Sequence, residues 1–176
     1  MASMQNFRLR VMREADLPQV RELNNAASPA ISPLSEEELA ALFEMCDVRL
    51  VSTDRNHQLL AFMLSMGTGQ PHTSENYQWF EARGVRHQYI DRIVVSPTAR
   101  NLGIGAALYA AVEHHIAGTP WLLCEVNLRP RNETSLRFHE RLGFREVGQQ
   151  DTDGGAKRVS LLALPLPTDA AGQLGG

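Results

Sequence analysis

The chain has 176 residues, of which 43% are hydrophobic and 21% charged, which suits one domain able to bury a core without disulfides or structural metal. The formal net charge of −3 excludes a global basic footprint for nucleic acid or an anionic membrane. The longest apolar stretch, residues 59–66, is too short to span a bilayer, and no signal peptide is visible at the N-terminus. We therefore expect a cytoplasmic protein that binds neither nucleic acid nor membrane.

The first half of the chain alternates between strand and helix patterns. Ser35 is followed at the third position by Glu38, a capping-box pattern that predicts the start of a helix. The predicted elements are a strand at residues 7–12, a helix from residue 14, a second helix after Ser35, and a hairpin of strands at 48–52 and 59–66.

Residues 67–87 form a long segment between predicted strands and carry the aromatic residues Tyr77, Trp79 and Phe80. A connection of this length is typically a functional loop or lid with a helical turn of its own. The alternative is a surface insertion whose aromatic side chains only attach it to the core. The sequence leaves both interpretations open.

The second half is more regular and ends in a small, polar stretch. Gly143 closes one helical pattern, as glycine does at many helix C-termini. The predicted elements are strands at 89–95, 121–127, 144–147 and 158–164, helices at 101–118 and 133–142, and a flexible tail at 168–176. Strands flanking helices predict a mixed α/β fold, with residues 1–167 as the one domain.

A glycine loop opens the predicted helix at residues 101–118. Glycines there let backbone N–H groups approach a ligand closely, and the helix N-terminus adds positive potential, so together they can hold a phosphate. A Walker loop is excluded because the chain has no Gly-Lys pair. A dinucleotide fingerprint is disfavoured because Leu108 stands where a third small residue belongs. The form Arg100-x-x-Gly103-x-Gly105, with Pro97 ahead of it, instead resembles the pyrophosphate loop of the GNAT N-acetyltransferases.

A second motif strengthens the resemblance. Asn132 heads a predicted helix that ends in Leu142-Gly143-Phe144, similar to the second signature of the GNAT family, and further stretches resemble a bacterial subgroup of predicted GNAT enzymes without an established substrate. The resemblance implies a single α/β (α+β) GNAT-fold domain. Its central sheet would be mixed, mostly antiparallel and twisted, with about seven strands flanked by about four helices.

The resemblance also implies acetyl-CoA as cosubstrate and no metal. In the family, the strand before the loop pairs through its backbone with the pantetheine arm, the loop amides bind the pyrophosphate, and the asparagine meets the pantetheine or a nearby backbone group. The residues implied in cofactor binding are Ile93, Val94, Val95, Arg100, Asn101, Leu102, Gly103, Ile104, Gly105, Ala106 and Asn132.

Acetyl transfer to an amine needs a group that takes a proton. An amine with a pKa of about 10 is mostly protonated at pH 7. Because its pKa lies roughly three units above the pH, forming the neutral, nucleophilic amine costs about 4 kcal/mol. Glu125 is the first candidate base, because some family members carry a catalytic glutamate at this place. Asp91 is the second, and its alternative role is an ion pair with Arg92 or another arginine.

The departing thiolate of CoA can also receive a proton, and the family commonly supplies it from a tyrosine seven residues after the asparagine. In this chain that position is His139, which departs from the common pattern. A protonated imidazole could donate the proton, whereas a neutral imidazole could only hydrogen-bond to the sulfur. The remaining alternative is a packed helix histidine without a catalytic role.

Together these observations predict an N-acetyltransferase that moves an acetyl group from acetyl-CoA directly to a primary amine. A small-molecule or peptide amine is the expected acceptor, and residues 67–87 are expected to border its site. The resemblance to the family also allows a homodimer. A non-catalytic acyl-CoA-binding module is the first alternative, and a nucleotide-binding oxidoreductase the second.

Cys46 and Cys124 are expected to be buried thiols rather than a disulfide or metal ligands. The adjacent His114 and His115 would point in different directions on a helix and could not share an ion.

Overall fold

The computed structural model describes residues 6–168, so the predicted tail lies, after Thr168, outside the described residues. Within this range no helix combines the length and apolar character needed to cross a membrane. Between residues 6 and 168, seven strands and five α-helices follow one another along the chain. The strands are β1 (Arg8–Val11), β2 (Val48–Thr53), β3 (Leu59–Gly67), β4 (Gln88–Val95), β5 (Trp121–Arg129), β6 (Arg145–Thr152) and β7 (Lys157–Pro165); the helices are α1 (Leu17–Ala26), α2 (Glu36–Met45), α3 (Glu75–Glu81), α4 (Ile104–His115) and α5 (Glu133–Leu142).

The strands form one sheet in the order β1-β2-β3-β4-β5-β7-β6. The pairs β1–β2, β2–β3, β5–β7 and β6–β7 are antiparallel, whereas β4 and β5 run parallel. The expected mixed, mostly antiparallel sheet of seven strands is therefore confirmed. Five helices are present rather than about four, because α3 forms inside the segment at residues 67–87.

The chain divides into two compact units, Met1–Met66 with Asp91–Val112, and Gly67–Ile90 with Glu113–Gly176. The first contains β1, β2, α1, α2 and most of β3, β4 and α4, and its core includes Val20, Leu39, Phe62 and Leu108. The second contains the start of β4, α3, α5 and β5 to β7, and its core includes Tyr77, Leu122 and Leu161.

Local signals account for several helix ends. The predicted capping box is confirmed: the Glu38 amide donates to Oγ of Ser35 at 3.1 Å, and the Ser35 amide donates to Oε2 of Glu38 at 2.8 Å. Gly143 ends α5 with a φ of 100°, a left-handed conformation that glycine adopts without steric cost.

Several predicted boundaries were wrong, among them those of α4 and β6. Helix α4 begins at Ile104 rather than at residue 101, because residues 101–103 form the loop that precedes it. Strand β6 continues through Gly148 to Thr152 instead of ending at residue 147. Its glycine lies beside a shift in register rather than at the strand end, which is a common position for glycine inside a strand.

Candidate active site

The glycine loop lies in the first unit, between β4 and α4. After the short turn Pro97–Ala99, Asn101 has a φ of 63° and Gly103 a φ of 79°. The Ala107 amide donates to the Gly103 carbonyl at 3.1 Å, so the helical hydrogen bonds begin at Gly103. Because glycine has no side chain, it cannot cap the first amides of α4, which are the donors an anion can use.

The loop is open on the side of Gly103. A Cβ built on Gly103 meets no atom within 4 Å, so glycine is required by its positive φ rather than by lack of space. Arg100 and Leu102 are exposed beside it. Ile93–Val95, the predicted pantetheine strand, form the end of β4 directly before the loop. The first unit thus contains ten of the eleven predicted cofactor residues in one continuous stretch of chain, residues 93–106.

Asp91 also lies in the first unit, where it forms an ion pair. Nε of Arg92 donates to Oδ2 of Asp91 at 2.8 Å, and the Asp91 side chain is only 5% exposed. Arg92 also donates to Oδ1 of Asn24 at 2.9 Å and to the Ser32 carbonyl at 3.2 Å. Asp91 therefore forms the ion pair with Arg92 that the sequence analysis gave as its alternative role. These contacts favour a structural carboxylate over a base.

Glu125 lies in the second unit, on β5, and its carboxylate is bound by a buried tyrosine. The Tyr89 hydroxyl donates to Oε2 of Glu125 at 2.7 Å. Tyr89 is 1% exposed, whereas Glu125 is partly exposed. A carboxylate that is oriented by a neutral donor and still reached by solvent can accept a proton from an amine, which a carboxylate paired with arginine does poorly.

Asn132 caps helix α5, as its place ahead of the helix suggested. Its Oδ1 accepts a hydrogen bond from the Ser135 amide at 3.2 Å, and its own amide donates to the Asn127 carbonyl at 3.0 Å. The side chain therefore meets a nearby backbone group, one of the two contacts that the resemblance implies. Its contact with pantetheine stays a prediction.

His139 is buried in the second unit, at 3% exposure. Its Nδ1 lies 2.7 Å from the Ser135 carbonyl oxygen, and since a carbonyl only accepts, Nδ1 carries the proton. The ring packs edge-on against Phe138 and Phe144, with centroids 5.2 and 5.3 Å away. Burial lowers the pKa of His139, opposed by the Ser135 carbonyl. The imidazole is thus held neutral near pH 7, which disfavours a protonated donor.

The aromatic segment at residues 67–87 is attached by its aromatic side chains, which agrees with one of the two interpretations that the sequence left open, and its role as a functional loop stays a prediction. Tyr77 and Phe80 of α3 are buried, as expected of side chains that attach the segment to the core. Trp79 instead lies against Gly148 of β6, and the guanidinium of Arg83 stacks over its ring at 3.0 Å from the centroid. Helix α3 is therefore docked along the edge strand β6.

Two cysteines and two adjacent histidines are the remaining candidate side chains. Cys46 and Cys124 are buried and form no disulfide, and burial raises the pKa of the Cys46 thiol. His114 and His115 are both exposed at the end of α4. Among residues 6–168, no three His, Cys, Asp or Glu side chains are grouped so that they could hold a metal ion.

Each of the three predicted catalytic side chains thus has a different partner: Tyr89 for Glu125, Arg92 for Asp91, and Ser135 for His139. Tyr89 was missed from the sequence as a functional residue. The signal that could have indicated it is the neighbouring position of β4 and β5, where Tyr89 lies opposite Leu123, on the same face as Glu125 two residues later.

Residues 17–144 match the family model described as the acetyltransferase (GNAT) family, and the chain belongs to this family. It is similar to the peptidyl-lysine N-acetyltransferase YjaB of Escherichia coli, with 32% identity over 77 residues, 44% of this chain and 49% of that protein. The YjaB protein of Salmonella typhimurium is 31% identical over 80 residues, 46% of this chain and 52% of that protein. The chain thus spans about half the length of the curated relatives it matches.

Solved structures share the fold at low sequence identity. The ribosomal-protein-S18-alanine N-acetyltransferase of Escherichia coli has a TM-score of 0.70 at 21% identity, over 97% of this chain and 99% of that chain. The phosphinothricin acetyltransferase of Sinorhizobium meliloti, in complex with acetyl-CoA, has a TM-score of 0.71 at 20% identity, over 97% and 95% of the two chains.

Proposed function

We propose that residues 1–167 form one N-acetyltransferase domain that moves an acetyl group from acetyl-CoA directly to a primary amine. The observation that carries this proposal is the loop at residues 100–106, in which the left-handed Asn101 and Gly103 lead into the start of α4. The family match and the acetyl-CoA complex of a structural neighbour support the same ligand.

Acetyl-CoA supplies the acetyl group as a thioester that an amine can attack. The amides at the start of α4 would bind its pyrophosphate, with Arg100 at the edge of the loop. The backbone of Ile93–Val95 would pair with its pantetheine arm, and Asn132 would meet the pantetheine or continue to cap α5. Most of these contacts are made by main chain, so the glycines are the residues whose side-chain identity matters most.

Glu125 is the proposed base. The protonated amine has a pKa of about 10, so it must lose a proton before it can attack. Glu125 combines partial exposure with a carboxylate fixed by the Tyr89 hydroxyl, whereas the Asp91 carboxylate is buried against Arg92. Asp91 is therefore second in line, and the contacts of His139 support packing of α5 more than donation to the thiolate.

The proposed acceptor is a primary amine of a peptide or small molecule, and a lysine side chain comes first. The YjaB relatives are named as peptidyl-lysine N-acetyltransferases, which suggests this class. Residues 67–87 are proposed to border the acceptor, because α3 places the half-buried Trp79 beside the edge strand β6.

The test is release of CoA from acetyl-CoA in the presence of a panel of lysine peptides, polyamines and amino acids. We expect transfer to at least one amine, and we expect Glu125→Gln to keep the affinity for acetyl-CoA while lowering kcat by roughly 10²–10⁴. Glu140→Gln is the matched control, because Glu140 is an exposed glutamate on α5. Tight acetyl-CoA binding without transfer to any amine would instead support the non-catalytic acyl-CoA-binding module.

A further inference from the structure

We propose that Tyr89 is a positioning residue that holds the Glu125 carboxylate in its reactive orientation, an inference that rests on the proposed role of Glu125 as base. The Tyr89 hydroxyl donates to Oε2 of Glu125 at 2.7 Å. Because Tyr89 is 1% exposed, the hydroxyl is shielded from water that would compete for this bond.

The parallel pairing of β4 and β5 sets this contact. Tyr89 lies opposite Leu123 in the register. Alternate residues of a strand share a face, so Glu125 lies on the same face as Leu123, one pleat further along. A phenol is long enough to reach diagonally across two neighbouring strands. The bond is therefore fixed by the sheet and does not depend on a flexible loop.

Neighbouring aromatic rings keep the phenol in place. The Tyr77 ring meets the Tyr89 ring edge-on with centroids 5.4 Å apart, and the Phe80 ring lies 6.0 Å from it. Both side chains come from α3 and are buried. The helix proposed to border the acceptor thus packs directly on the residue that binds the base.

The hydrogen bond has two physical consequences. It restrains the Glu125 side chain, which would otherwise sample many rotamers. It also stabilises the ionised carboxylate, the form that accepts a proton, over the protonated form. Tyr89 acts through Glu125 in both respects and does not itself exchange a proton with the amine.

Other titratable groups near Tyr89 must be separated from this effect. The His72 ring lies 6.5 Å from the Tyr89 ring. His87 packs against Tyr77 and Phe80, and its Nε2 lies 3.0 Å from Oε1 of Glu81. From β7, the residue opposite Glu125 is the apolar Leu161.

The experiment compares Tyr89→Phe with Tyr77→Phe. Tyr89→Phe keeps the ring and removes only the donor to Glu125. Tyr77→Phe removes a buried hydroxyl from the same cluster, one that donates to the Gly67 carbonyl at 2.8 Å and accepts from the Gln70 amide at 3.0 Å. The readouts are the NMR titration of the Glu125 carboxyl carbon, assigned with Glu125→Gln, and the pH dependence of kcat/KM.

We expect Tyr89→Phe to move the titration midpoint of Glu125 up by about one pH unit, because a bond to a charged group is lost. The acidic limb of kcat/KM should move with it, kcat should fall by about tenfold, and the KM for acetyl-CoA should stay constant. Tyr77→Phe and His72→Gln should leave the Glu125 midpoint in place. These variants therefore distinguish the hydroxyl of Tyr89 from general loss of packing and from the nearby imidazole.

An unchanged midpoint in Tyr89→Phe, or an equal shift in Tyr77→Phe, would overturn the proposal. If Tyr89→Phe does not fold, Tyr89→fluorotyrosine replaces it: a more acidic phenol donates more strongly and should move the midpoint down, and no movement would again overturn the proposal. If the wild-type protein acetylates no amine, the proposed function fails, while the NMR titration still decides whether Tyr89 governs the Glu125 carboxylate.

Discussion

Replacing Gly148 with alanine is expected to destabilise the docking of α3 on β6. A Cβ at this position would lie 2.6 Å from Cζ2 and 2.9 Å from Cη2 of Trp79. Carbon atoms in good contact are about 3.5–4.0 Å apart, so the indole would have to retreat by about 1 Å. Arg83 stacks on the Trp79 ring at 3.0 Å from the centroid, which means that two side chains must move together.

The magnitude follows from known costs of overpacking. Inserting a methyl group into a well-packed contact typically costs about 1–3 kcal/mol. For a domain of this size, each kcal/mol lowers Tm by about 2–4 °C. Gly148→Ala should therefore lower Tm by a few degrees, and it should raise the KM for the acceptor more than the KM for acetyl-CoA, because the displaced helix is the one proposed to border the acceptor.

A double-mutant cycle tests the physical cause. Trp79→Leu removes the indole, so adding Gly148→Ala in that background should cost much less than it does in the wild type. We expect a coupling free energy of about 1 kcal/mol or more from thermal or urea unfolding. Effects that add to within about 0.5 kcal/mol, or a single variant with the wild-type Tm, would refute the steric argument.

Three further predictions concern the loop and the remaining candidate side chains. Gly105→Glu should abolish acetyl-CoA binding by bulk and by repulsion of the pyrophosphate, and unchanged calorimetric affinity in a folded variant would contradict the proposed loop. Asp91→Asn should lower the free energy of unfolding by about 3 kcal/mol, since it leaves the mostly buried Arg92 without its carboxylate partner; if it lowers kcat more than Glu125→Gln does, the base is misassigned. His139 has a lowered pKa in the folded state, so the unfolded chain binds the proton more readily and stability decreases as pH falls below about 6.5. His139→Phe should make that decrease shallower, and the pH dependence of its kcat should match that of the wild type, because the contacts of the ring favour packing over proton donation.

Local chemistry made much of the fold predictable. The Ser35–Glu38 capping box, the helix-ending Gly143 and the glycine loop each depend on residues within a few positions of one another. Such signals act on the local backbone conformation and on the amides at helix ends that have no partner within the helix. Both depend directly on the identity of neighbouring residues. For the same reason, the glycine loop that precedes α4 could be located from the sequence alone.

The partners of the catalytic candidates were harder to predict, because they depend on contacts between distant segments. Tyr89 and Glu125 meet only through the register of two parallel strands, and register is set by tertiary packing. The predicted strand ended at residue 147, whereas Gly148 continues β6 and provides the space for Trp79, which is 69 positions earlier in the chain. Asp91 was the exception, since its arginine partner is the next residue.

The absence of a side chain at Gly103 links ligand occupancy to helix stability. Most helices receive their first hydrogen-bond acceptor from a serine, threonine or aspartate, but Gly103 accepts the Ala107 amide through its carbonyl and offers no such group. An anion bound at the loop would act as the missing cap of α4. Hydrogen exchange at the amides of residues 104–106 should therefore slow when acetyl-CoA binds, and thermal stability should rise with its concentration by mass action.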